Sequence, residues 1–152
     1  MDEGSLRELL DVLTEKQLFR LTLPEELNVL ATLIHDTTYS LDLVRYDDKL
    51  HCLTLVTGHS RLRPKIGWIG GLLPLPWIKR EWQSRIRINF FDVDMYTLEV
   101  KYRWTTAEIS HIDATESQVT VCGFPVTLRI TTRRPPIAQA IALPKEDWQV
   151  CL

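Results

Sequence analysis

No two of the three cysteines stand close together: Cys52, Cys122 and Cys151 lie far apart in the chain and no C-x-x-C pair occurs. This excludes a zinc-knuckle framework and the paired-cysteine pattern of small secreted scaffolds, and a reducing, cytoplasmic or otherwise intracellular setting is expected. Long hydrophobic runs are lacking too. The longest uncharged stretch, residues 66–78, has thirteen residues and contains Pro74 and Pro76, too short and too interrupted for a membrane-spanning helix. The opening Met-Asp-Glu resembles neither a secretion signal nor a myristoylation site, and Cys151 is not placed for prenylation, so no such signal is expected. Neither charge sign dominates, with 18 basic and 20 acidic residues.

Recognisable chemistry is equally sparse. "GWIGG" has glycines without the G-K-[ST] or G-x-G-x-x-G that cradles phosphate. "GHSRL" begins like a nucleophile elbow but has leucine at position 62. His35, His51, His59 and His111 form no i, i+4 pair, and although His51, Cys52 and His59 could approach across a hairpin, no fourth ligand is visible. Asp92-Val93-Asp94 is a D-x-D, which in some glycosyltransferases holds a divalent cation, yet its place between two strand patterns reads as a turn with capping carboxylates. Arg133-Arg134-Pro135-Pro136 reads as a solvated strand end. No catalytic residue, metal ligand or cofactor is assigned, and an enzyme is disfavoured.

What is present is a change of period. Ser5 with Glu8 forms a capping box, and Leu6, Leu9, Leu10 and Leu13 recur at helical spacing. Pro24, Glu25 and Glu26 suit the first turn of a second helix with the stripe Leu27, Leu30, Ala31 and Ile34. Helices are therefore expected near 5–20 and 24–35. From Thr38 the period becomes two. "YSLDLVRY" and "LHCLTLVT" alternate across "DDK" as a hairpin, and "SRIRINFFDV" reads as a half-buried strand. In "YTLEVKYRW" one face carries Tyr96, Leu98, Val100, Tyr102 and Trp104. "QVTVC" and "VTLRITT" follow, and "IAQAIAL" fits either helix or strand. The expected fold class is α+β: N-terminal helices (1–36) packed on one antiparallel β-sheet (38–132), with a C-terminal tail (133–152), all in one domain.

Charge is unevenly distributed. Residues 1–50 hold eleven acidic and five basic side chains, and residues 51–152 nine acidic and thirteen basic. Inside the basic half lie Ile66, Trp68, Ile69, Leu72, Leu73, Leu75, Trp77 and Ile78, flanked by Arg61, Arg63, Lys65, Lys79 and Arg80. Gly67, Gly70, Gly71, Pro74 and Pro76 argue for an irregular loop over 66–78, which as a surface feature marks a contact site. The expected function is that of a non-enzymatic interaction or structural protein, docking through this loop to a protein partner or to a second copy of itself as a homo-oligomer. The slightly negative total charge puts that ahead of a peripheral, matrix-like role on an anionic membrane through the same loop. Two other readings are a nucleic-acid surface on strands 85–103, from Arg85, Arg87, Lys101 and Arg103, and a small enzyme with an unrecognised pocket.

Overall fold

The structure, a computed structural model, describes residues 17–69, 73–103 and 105–145. Strand β1 (Gln17–Arg20) precedes helix α1 (Pro24–Ile34); β2 (Thr38–Ser40), a 3-10 turn (Leu41–Leu43), β3 (Arg45–Asp47) and β4 (Cys52–Gly58) follow. Then come β5 (Ser60–Ile69), β6 (Leu73–Trp82), β7 (Ile86–Phe90), β8 (Val93–Val100), β9 (Thr106–Ala114), β10 (Gln118–Phe124), β11 (Val126–Thr132) and β12 (Ile137–Ala142). The main sheet runs β1-β12-β7-β4-β2-β9-β10-β11-β8, antiparallel at every pairing, with β3 branching off β4. β5 and β6 form a separate two-stranded sheet.

This corrects the expected fold class: the described chain is mostly antiparallel β-sheet with one α-helix and a 3-10 turn, not a layer of N-terminal helices on a sheet. Residues 5–16 lie outside the described residues, but 17–20, expected as the end of the first helix, are a strand paired with β12. The reason is visible in the burial. Phe19 and Leu21 are buried while Leu18 and Arg20 are exposed, a period of two that pairing with β12 satisfies and a helix would not. The helix over 24–34 forms as its signals dictate. Pro24 stands in its first turn with Glu25 and Glu26, and Leu30, Leu33 and Ile34 enter the core. Glu26 also ties the helix to β1, its carboxylate accepting from the Arg20 backbone N–H and, at 3.3 Å, from the guanidinium.

The segment expected as a C-terminal tail is likewise corrected, because β12 lies inside the sheet between β1 and β7. Ala138 and Ala140 are buried there, so "IAQAIA" resolves as a strand. The expected hairpin over 39–57 forms with one interruption. Both β2 and β3 pair with β4, the 3-10 turn lies between them, and Asp47 Oδ1 accepts from the Lys49 and Leu50 amides at 2.9 and 3.1 Å to close the turn. On β8, Tyr96 and Leu98 pack against the core while Thr97 and Glu99 are exposed, as alternation requires. The face does not continue to Tyr102, since the strand ends at Val100 and Tyr102 lies exposed, its ring 5.9 Å from that of Phe124 and tilted 54° to it; Trp104 lies outside the described residues. From β3, Tyr46 donates to the Val93 carbonyl at 2.9 Å and meets the Tyr96 ring at 5.7 Å, drawing β8 towards the β3–β4 corner.

One core residue is under-satisfied. Tyr39 on β2 is fully buried, its hydroxyl has no hydrogen-bond partner among the described residues, and burial pushes its pKa up to about 12. A buried polar group left unpaired costs about 1–3 kcal/mol. Tyr39→Phe is therefore expected to stabilise the fold by ~1 kcal/mol, raising Tm by ~2–4 °C for a chain of this size, as thermal unfolding would show.

Candidate functional site

The residues singled out as a contact site do not form a loop. Ile66, Trp68 and Ile69 belong to β5, and Leu73, Leu75, Trp77 and Ile78 to β6; Leu72 lies outside the described residues. The basic flanks Arg61, Arg63 and Lys65 are on β5, Lys79 and Arg80 on β6. The correction has a backbone cause. Register pairs Pro64 with Ile78, Ile66 with Pro76 and Trp68 with Pro74, so all three prolines fall on alternate rungs of one parity. In an antiparallel ladder those rungs share one class, and where that class points its N–H groups away from the partner strand, a proline costs no ladder bond. Spacing of two between Pro74 and Pro76 is thus a strand signal as much as a breaker signal.

The same register sorts the chemistry along the ribbon. The four rungs farthest from its base, Ile66–Pro76, Gly67–Leu75, Trp68–Pro74 and Ile69–Leu73, hold no charged residue. The rungs nearer the base hold all five cations, in the pairs Arg61–Glu81, Leu62–Arg80, Arg63–Lys79 and Lys65–Trp77. Arg61, Arg63, Lys65 and Lys79 occupy rungs of one parity and the prolines the other. At about 3.4 Å per residue, the ten-residue strand β5 spans roughly 30 Å.

The base of the ribbon is pinned to the sheet around Gly58, His59, Ser84 and Arg85. Gly58 ends β4 where the chain passes the Ser84 carbonyl so closely that a Cβ would stand 2.0 Å from that oxygen. The His59 N–H donates to Ser84 Oγ at 3.1 Å, and the His59 carbonyl accepts from the Gln83 and Ser84 amides at 2.8 and 3.3 Å. Arg85, only 1% exposed, places its guanidinium 3.8 Å from the centre of the Trp82 ring. A buried arginine on an aromatic face is a cation–π contact strengthened by desolvation. Its sequence signal was a basic residue at the head of an alternating strand, which reads as solvent-facing.

That burial also dismantles the basic patch expected over 85–103. Arg85 is covered, Arg87 on β7 is exposed, and Lys101 and Arg103 lie past the end of β8. β7 and β8 are not hydrogen-bonded neighbours, since β7 pairs with β12 and β4 while β8 pairs with β11. Of the D-x-D expected as a turn, Asp92 alone lies in the β7–β8 turn, with φ 53°; Val93 and Asp94 already belong to β8, and Asp94 Oδ1 accepts from Arg133 Nε at 3.2 Å. Arg133 also approaches His51 Nε2 at 3.4 Å, so its charge is engaged at the sheet corner.

A concavity of about 520 Å³ lies where α1 meets β9, lined by residues including Asn28, Thr32, His35, Asp36, His59 and His111. His35 Nδ1 stands 3.0 Å from Asp36 Oδ2. The His59 pKa is lowered, first by burial, with a backbone hydrogen bond at Leu33 and the Asp36 charge opposing. Low basicity suits a neutral packing histidine on the wall of the cleft.

Compared with protein-family models, with curated proteins and with solved structures, the chain matches none.

Proposed function

We propose that this is a non-enzymatic peripheral protein whose β5–β6 ribbon docks on an anionic membrane surface. The observation that carries the reading is the division of the ribbon into an uncharged distal half and a cationic proximal half. Four distal rungs measure about 10 Å, which matches the depth of roughly 5–10 Å at which apolar elements lie in the headgroup boundary. Lys65 then falls at the level of the lipid phosphates, with Arg63, Lys79, Arg80 and Arg61 on successive rungs behind it and Glu81 opposite Arg61, and each cation near an anionic leaflet contributes about 1 kcal/mol. Two weak signals of this kind, one apolar and one electrostatic, together give stable attachment where either alone does not.

Backbone chemistry favours lipid over strand addition. A donor left unpaired in an apolar medium is costly, and Pro74 and Pro76 remove two of those that the distal edge of β6 would otherwise present. The same absence blunts that edge against pairing with another chain. Among the described residues no helix is long and apolar enough to cross a membrane, and a two-stranded ribbon with open edges does not span one either. Docking to a protein partner or a second copy is the competing reading, favoured by the edge of β5, where Ile66 and Trp68 keep their N–H groups.

Co-sedimentation with vesicles separates the two. Binding is expected to phosphatidylcholine vesicles containing phosphatidylserine, to weaken as salt rises, and to be lost in Lys79→Glu/Arg80→Glu. Self-association or partner capture that needs no lipid, with vesicles left unbound, would replace the membrane by a protein interface.

A further inference from the structure

β9 and β10 bring together three residues that the sequence holds apart. Register pairs His111 with Cys122, and Asp113, two residues along β9, returns to the same face. An imidazole nitrogen, a thiol sulfur and a carboxylate oxygen there all lie within 4.8 Å of one another. His111 Nε2 is 3.4 Å from Asp113 Oδ2, and both side chains are exposed while Cys122 is half-buried.

Two neighbours preset the arrangement. Ser110 Oγ donates to the Cys122 carbonyl at 3.1 Å and lies 3.1 Å from His111 Nδ1. With its proton committed to that carbonyl, the hydroxyl oxygen is left as the acceptor for an Nδ1–H, the tautomer that a cation on Nε2, on the side of Asp113, requires. A histidine ligand is commonly oriented by such a partner on its other nitrogen. The commitment of the Ser110 proton also tells against reading Ser110, His111 and Asp113 as a nucleophile chain, in which the hydroxyl would donate to the imidazole. The second neighbour is Gly123. Register shifts between Cys122 and Gly123, and a Cβ at 123 would stand 1.9 Å from the Glu108 carbonyl oxygen. Glycine is the residue that admits this contact, and the irregularity it allows directly follows the Cys122–His111 pairing.

We infer that His111, Asp113 and Cys122 form a binding site for a late first-row divalent cation, zinc foremost, with the fourth tetrahedral position open to water. Nitrogen, sulfur and carboxylate oxygen are the three donor types zinc takes, and three protein ligands with one open position is a recognised zinc geometry. The thiol and imidazole disfavour magnesium and calcium, which select oxygen. Bonds of about 2.0–2.3 Å require the donors to draw within roughly 4 Å of one another, a small rotation for exposed side chains. Chain spacing conceals the site, because its members meet only through the β9–β10 pairing.

The test is titration of the intact, reduced chain with Co²⁺ and then Zn²⁺. One equivalent of Co²⁺ is expected to bind with a near-ultraviolet thiolate-to-cobalt absorption, displaced by Zn²⁺. Cys122→Ser should abolish the absorption, His111→Ala and Asp113→Asn should each weaken binding by about tenfold or more, and Ser110→Ala should weaken it while keeping the absorption. Unchanged Tm in the metal-free variants would separate lost ligation from lost folding, and Cys52→Ser should behave as the parent. Absence of the absorption, its survival in Cys122→Ser, or its loss in Cys52→Ser would overturn the assignment.

Discussion

Trp68→Ala with Trp77→Ala is expected to abolish vesicle binding while leaving thermal unfolding within about 2 °C of the parent. The asymmetry follows from topology, since among the described residues β5 and β6 pair with each other and with no strand of the main sheet. The buried core is assembled from α1 and the strands of the main sheet, with Phe19, Tyr39, Ile88, Phe90, Ile109 and Leu128 among its members. Loss of a large side chain from a packed core costs about 3–5 kcal/mol, and two such losses would approach the whole stability of a domain. Each kcal/mol lowers Tm by ~2–4 °C at this chain length, so a core role for the tryptophans would show as a fall of well over ~12 °C. Vesicle co-sedimentation and a melting curve on the same preparation decide the matter. An early-melting variant would make the ribbon part of the fold's own packing. A normally folded variant that still binds vesicles would remove the tryptophans from the docking element.

Gly58→Ala is expected to be the most damaging single methyl group at the ribbon's base. Its Cβ would stand 2.0 Å from the Ser84 carbonyl oxygen and 3.0 Å from Arg85 Cδ, and the nearer obstacle is backbone, which no rotamer change relieves. Ser84 cannot retreat cheaply, because its amide and hydroxyl are both bonded to His59. Overpacking of this kind costs about 1–3 kcal/mol and sometimes more. A loss of ~3 kcal/mol or more is expected here, with Tm lower by ~6–12 °C. Urea unfolding would measure it, and a shift below ~1 kcal/mol would show that the base of the ribbon yields without disturbing the sheet. Since the strain falls where the ribbon joins the body, vesicle binding should weaken as well, even below the melting transition.

How much of this could be read without the fold depends on the range of the interactions involved. The helix over 24–34 was legible because Pro24, Glu25, Glu26 and the stripe through Ile34 act within a few turns of one another. Strands β7 and β8 were legible because burial on one side leaves a local alternation: Ile86, Ile88 and Phe90 face the core. β1 was not, because "QLFRL" has too few residues to distinguish a period of two from 3.6, and its partner β12 lies more than a hundred residues away. The prolines of the ribbon were misleading for a related reason. Whether a proline breaks a strand depends on which rung it occupies, and only the pairing supplies the rung.

The sequence by itself determined composition, the helix over 24–34 with the strand periodicity that follows it from Thr38, and the concentration of apolar and basic residues over 61–80, since each is a property of neighbours along the chain. Tertiary structure alone decided that Arg85 is buried under Trp82 rather than offered to solvent, that charge and apolarity separate along the ribbon, and that His111, Asp113 and Cys122 meet. These are consequences of register. A slip of one residue would send every side chain of a strand to its opposite face, and no local pattern in the sequence records which long-range pairing prevails.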